Sequence, residues 1–190
     1  MGEIKFSPSI SYLLIKFMVK LIHLLKEIGD KLLTPYTYTR KTTKSRHLVD
    51  SIKSVFNWVT ENNVKYVAFI DKSKNEDNKS WRYTADFGIG TANNPNFNVS
   101  SKDTKTGNIF RIMATMTDII KKEIDIDAKE NRPIKYIDVS PTGEQKAKDN
   151  RRLHLYAEYI KKNMPPGSKV TITGVKIKIT LPKTPNNQPS

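Results

Sequence analysis

Hydrophobic residues change their spacing twice between Trp81 and Val139. Trp81, Tyr83, Ala85, Phe87 and Ile89 alternate with Arg82, Thr84, Asp86 and Gly88, which is the period of a half-buried strand. Ile109, Ile112, Met113, Met116, Ile119 and Ile120 then recur at threes and fours, the spacing of a helix that buries one stripe. Residues 134–139, introduced by Pro133, return to β-forming residues, and Ser140-Pro141-Thr142-Gly143 is turn chemistry. A chain written as strand, helix, strand has to hide each apolar face against another element. It therefore predicts an α/β (α+β) fold with a mixed central sheet flanked by helices.

The flanking segments extend this pattern. Leu48, Ile52, Val55, Phe56 and Val59 fit one helical face and predict a helix over 45–61, ended by Asn62-Asn63. Residues 64–70 read as a strand and 71–80 as a polar loop, with the 64–70 strand paired antiparallel to 81–89. Gly88-Ile89-Gly90 suggests a bulge or a close backbone approach. A short strand is expected near 97–99. The helix that starts at Ile109 has Thr106 or Asn108 as its cap and closes at Lys121-Lys122, where positive charge suits the helix dipole. A further helix covers 144–163, burying Ala147, Leu153, Tyr156 and Ile160 before Pro165-Pro166-Gly167 stops it. Val170 and Ile172, then Val175, Ile177, Ile179 and Leu181, alternate about Gly174 as one bent strand or two short ones. Residues 182–190 carry no apolar anchor and read as a flexible tail.

The amino-terminal segment is of another kind. Residues 9–33 are strongly apolar, with Lys16, Lys20, His23, Glu27 and Asp30 aligned in one narrow helical stripe. Lys16 and Lys20 interrupt the run that a membrane span needs, and no small-residue cleavage site follows. Such a helix needs cover, which its own domain, other subunits or a membrane interface could supply. The parts are thus an apolar helix at 1–35, a basic linker at 36–47, the α/β domain at 48–181 and the tail at 182–190. Leu14, Phe17, Met18, Leu21 and Leu25 are the candidate partner-binding residues. In the basic linker, Arg40, Lys41, Lys44 and Arg46 lie beside Tyr36 and Tyr38. They are the candidate contacts for a polyanion, with a solvated linker as the plainer alternative.

Composition removes several chemistries. The 190 residues include no cysteine, so disulfides, thiolate metal sites and cysteine nucleophiles are excluded. The three histidines, His23, His47 and His154, are too scattered for a two-histidine metal pair on one helix. Asp125, Asp127 and Glu130 lack a calcium-loop pattern and read as a solvated acidic turn. Asp138 and Ser140 stand at a strand end without a nucleophile elbow.

Thr106-Gly107-Asn108 before the Ile109 helix, Pro133-Ile134-Lys135-Tyr136-Ile137 as the next strand, and Arg152 with Leu155-Tyr156 in the following helix resemble bacteriophage virion proteins with a degenerate GNAT-like core. The resemblance spans residues 64–175 and implies a GNAT-like, acetyltransferase-related fold. Acetyltransferases of that fold hold a pyrophosphate on helix amino-terminal amides through an Arg/Gln-x-x-Gly-x-Gly/Ala loop. In Asp103-Thr104-Lys105-Thr106-Gly107-Asn108-Ile109 only Gly107 corresponds. Leu155-Tyr156 matches the pair whose hydroxyl serves as acid in those enzymes, but the asparagine expected seven residues earlier is Asp149. Tyr156 is therefore expected as a core tyrosine, and Arg152 as the partner of a carboxylate.

The resemblance implies a non-enzymatic structural subunit of a phage particle, in its capsid, neck or tail, assembled in the host cytoplasm. No catalytic residue, cofactor or metal is expected. Its partners would be other virion proteins, in several copies, with contact to packaged DNA and with membrane contact disfavoured. The formal charge of +14 suits an acidic or polyanionic neighbour. The alternatives are an acyl-CoA-dependent N-acetyltransferase with an atypical loop and a nonspecific nucleic-acid binder.

Overall fold

The computed structural model describes residues 33–44, 51–77, 79–96, 109–140 and 151–182. The expected amino-terminal helix with Leu14, Phe17, Met18, Leu21 and Leu25, the residue Arg46, the 97–99 strand, the 103–108 loop, Asp149 and the 183–190 part of the tail lie outside them. So does the first half of the helix expected from 144.

The fold is mixed α/β: one large mixed sheet and, among the described residues, two helices. The strands are β1 Tyr38–Lys44, β2 Ser51–Val59, β3 Lys65–Lys74, β4 Trp81–Thr91, β5 Asn94–Asn96, β6 Ile134–Ser140, β7 Lys169–Thr173 and β8 Lys176–Thr180. Helix α1 is Ile109–Lys129 and α2 is Arg151–Asn163. The sheet order is β1-β2-β3-β4-β6-β8-β7, with β5 hooked onto the end of β4. Every junction is antiparallel except β4 with β6, which run parallel because α1 carries the chain from one to the other.

Pairing parity sorts the side chains. Ile52, Ser54, Phe56 and Trp58 face the helices, as do Tyr66, Ala68, Ile70 and Lys72 in β3 and Tyr83, Ala85 and Phe87 in β4. Ile137 and Val139 of β6 and Ile177 and Ile179 of β8 continue that face. Against it α1 buries Ile112, Met113, Met116, Ile119 and Ile120, while α2 buries Leu153, Tyr156, Ala157 and Ile160. Each such side chain contributes about 2 kcal/mol through water excluded. Both described helices thus lie on one face of the sheet, where the sequence predicted helices on both.

Two expected elements are corrected. Residues 51–59 are a strand, not a helix: positions 52 and 56 are four apart, a multiple of both two and close to one helical turn, so they satisfy either period. Trp58, outside the helical stripe yet 2% exposed, decides for the strand, and Val59, expected inside, is 48% exposed. Residues 38–44 of the expected basic linker are the edge strand β1, paired with β2 from Tyr38↔Trp58 to Lys44↔Ile52. Its run of threonines is β-forming, and a paired partner was needed to express it.

Chain reversals follow ordinary chemistry. Asn63, at φ 59°, turns β2 into β3 and donates its backbone N–H to Thr60 O at 2.9 Å. Asn131, at φ 55°, ends α1 while Arg132 N donates back to Asp127 O at 2.8 Å, a left-handed helix cap. The α1 helix therefore runs past Lys121-Lys122 and takes in the expected acidic turn. Gly174, at φ 60°, opens the two-residue turn between β7 and β8, and a Cβ there would meet nothing within 4 Å. Its need for glycine is purely a backbone need. Gly174→Ala is expected to cost about 1 kcal/mol and to lower Tm by about 3 °C in a thermal melt, whereas Val175→Ala beside it should move Tm less.

Candidate functional site

The densest ionisable chemistry lies between the sheet and α1. Lys72, Glu123 and Asp127 are 1%, 1% and 0% exposed. Lys72 is in place because β3 parity puts it after Tyr66, Ala68 and Ile70 on the covered face. Glu123 and Asp127 continue the buried stripe of α1 by steps of three and four from Ile120. The Lys72 ammonium lies 2.6 Å from Glu123 Oε2 and 2.8 Å from Asp127 Oδ2. Arg40 of β1 donates to Glu123 Oε1 at 2.5 Å and to Oε2 at 3.3 Å, and Ser54 Oγ donates to Oε2 at 3.3 Å. The Tyr83 hydroxyl donates to Glu123 O at 3.0 Å and to the Asp127 carboxylate. From the end of α1, Arg132 donates from Nε to Asp127 Oδ1 at 2.8 Å and closes the cluster.

Glu130, paired with Arg132, brings the carboxylates at the cluster to three against three cations. Two buried carboxylates face one buried ammonium and two guanidiniums whose side chains reach solvent at 36% and 17% exposure. Burial works to raise the Glu123 carboxyl, but the hydrogen bonds and charges of Arg40 and Lys72 outweigh it and hold it below the ordinary carboxylate range. The bond to Glu123 raises Arg40. Burial first, then Asp127 and Glu123, pushes the Tyr83 phenol far up, so it stays a donor.

A second polar place lies where β4 and β6 part. Their parallel pairing ends at Asp86↔Ser140, while β4 continues to Thr91 and pairs instead with β5. Burial raises the Asp86 carboxyl, opposed by a hydrogen bond from Ser140 and by the charge of Lys176. Tyr156 is 5% exposed and packs its ring on Phe87 with centroids 6.1 Å apart, on the opposite face of the sheet from Asp86.

Of the residues expected to hold a polyanion, Arg40 and Lys41 do not share a surface. Arg40 turns toward α1 and is committed to Glu123, whereas Lys41, one residue on, is exposed on the other face. Lys44 ends β1. The expected solvated acidic turn is also corrected: Asp127 is fully buried and Asp125 exposed, because both sit on α1 and face opposite ways. Lys72, Tyr83 and Arg132 carried no functional expectation. The signal for them was a charge at a core-facing position on two elements at once, Lys72 on β3 and Glu123 and Asp127 on α1.

Among the described residues no group of three or more His, Asp or Glu could hold a metal ion, and no helix is long and apolar enough to cross a membrane. Comparisons with protein-family models, curated proteins and solved structures found no match.

Removing Lys72 leaves Glu123 and Asp127 facing each other in the core. Lys72→Met is expected to cost about 3–5 kcal/mol by urea unfolding, and Lys72→Met with Glu123→Gln should cost less than the two changes added. The folded Glu123 carboxyl lies below its unfolded value of about 4.3, so its contribution is complete above that pH and is lost as pH falls through the folded value. The urea midpoint of the native chain should drop on acidification below about pH 4.3, and more steeply than that of Glu123→Gln.

Proposed function

We propose that this chain is a non-catalytic structural subunit of a phage particle, built on a GNAT-like core. The observation that carries the reading is where the fold commits its buried ionisable groups. Lys72, Glu123, Asp127, Tyr83, Arg40 and Arg132 are bonded to one another and clamp three strands to α1. Such a cluster holds a shape and leaves these groups nothing to offer a reactant. The run β3, β4, β5, α1, β6, α2, β7, β8 follows the element order, strand, strand, a third short strand, helix, strand, helix, strand, strand, that supports the GNAT-like resemblance. The surplus of positive charge favours acidic neighbours and packaged nucleic acid.

A second reading, an acyl-CoA-dependent N-acetyltransferase, is favoured by the parting of β4 and β6 beyond Asp86 and Ser140, since ligands of sheets with parallel strands enter at the carboxyl ends of those strands. Isothermal calorimetry separates the two. The structural reading expects no heat with acetyl-CoA and expects the protein's peptides in purified particles by mass spectrometry. Micromolar binding of acetyl-CoA, with no such peptides in particles, would favour the transferase.

A further inference from the structure

The face of the sheet away from both described helices has its own chemistry over β6, β8 and β7. Each cross-strand pair of the β7–β8 hairpin on that face joins a lysine to a threonine: Lys169↔Thr180, Thr171↔Lys178 and Thr173↔Lys176. No acid lies within these three pairs, and on its other side β8 sets Lys178 against Asp138 of β6. Successive rungs are two residues apart, about 6.6 Å, close to the separation of phosphates along an extended nucleic-acid strand. An ammonium and a hydroxyl at every rung are the donors a phosphate accepts from.

The ladder leads to an aromatic ring. Tyr136 of β6 pairs with Thr180 on one side and with Arg82 of β4 on the other. The ammoniums of Lys178 and Lys135 lie 4.5 and 5.1 Å from its ring centre. Beside the ring opens a cleft of about 410 Å³, reaching from Arg82 and Lys178 to the β3–β4 connection. Glu76, Asp77 and Asp138 line it, acceptors for the amino groups of a base edge. Their charge keeps phosphates out of the cleft itself, and Asp138 leaves Lys178 open to a phosphate on its β7 side, beside Thr171. A cation over an exposed ring is held by only about 0.5–1 kcal/mol, so Lys178 can leave the ring to a base and move to a phosphate.

We propose that this face binds single-stranded nucleic acid, with phosphates along Lys169, Lys176 and Lys178 and one base in the cleft against Tyr136. The inference holds whether or not the chain belongs to a particle. A duplex keeps its bases stacked inside and cannot fill the cleft. An acidic peptide would match the lysines but has no use for the ring or for the cleft's hydrogen-bond acceptors.

The test is fluorescence anisotropy with the full chain and a labelled single strand of about 12 nucleotides, at salt between about 50 and 200 mM. Replacing Lys169, Lys176 and Lys178 together by Gln should weaken binding and flatten the salt slope by about 2. Tyr136→Leu should weaken binding about tenfold with the slope kept, while Tyr136→Phe, which keeps the ring, should bind as the native chain does. Lys121→Gln with Lys129→Gln, exposed on α1, should change little. Three results would each overturn the proposal: equal loss in the α1 variant, a duplex bound as tightly as the single strand, or polyglutamate competing as well as unlabelled strand.

Discussion

The Lys72 ammonium between the Glu123 and Asp127 carboxylates is the contact around which this fold is organised. Two carboxylates one helical turn apart on the buried stripe of α1 would repel each other and resist leaving water. A cation from β3 resolves both problems, and its position fixes how far along the sheet α1 can sit. Arg40 reaches in from the edge strand and Tyr83 from β4, so strands from β1 to β4 are tied to the same two carboxylates. An apolar core tolerates small slips of a helix over a sheet. A hydrogen-bonded ion cluster does not, because each displaced bond leaves a buried charge without its partner.

That arrangement gives the two faces of the sheet different tasks. On the helix face, charge is compensated internally and the surrounding side chains are large and apolar. On the other, lysines and threonines of β7 and β8 stand beside Tyr136 and Arg82, with Asp138 across from Lys178 and the Asp86 carboxyl under the charge of Lys176. One alternation of side chains along each strand creates both: Ile177 and Ile179 enter the core while Lys176 and Lys178 do not. The division leaves the helix face with bonded ionic groups and the other with lysines and threonines that reach solvent.

Much of the architecture was legible in the amino-acid order. The alternation from Trp81 to Ile89 predicted β4 and the stripe from Ile109 to Ile120 predicted α1, because in each case one period excluded the other, whereas the pattern about Gly174 fitted one bent strand or two short ones and the structure has two. The 51–59 segment was ambiguous, since its apolar residues fit a strand and a helix alike. β1 was hidden for another reason: a polar edge strand has little periodicity of its own and is defined by hydrogen bonds to its neighbour. Of the ion cluster, the sequence showed Arg40 as a candidate polyanion contact and Asp127 as part of a solvated acidic turn, and the structure commits both to the core cluster instead.

Period and composition by themselves determined the sheet-and-helix class, the order of elements from β3 onward, the absence of cysteine chemistry and the excess of positive charge. These are properties of neighbouring residues and of totals. Tertiary structure alone decided that Arg40 faces inward while Lys41 faces out, that Lys72 meets carboxylates 51 and 55 positions away in the chain, and that both described helices share one face. Each depends on strand register, and register is set by the packing of residues far apart in sequence, where a shift of one residue would exchange the two faces entirely.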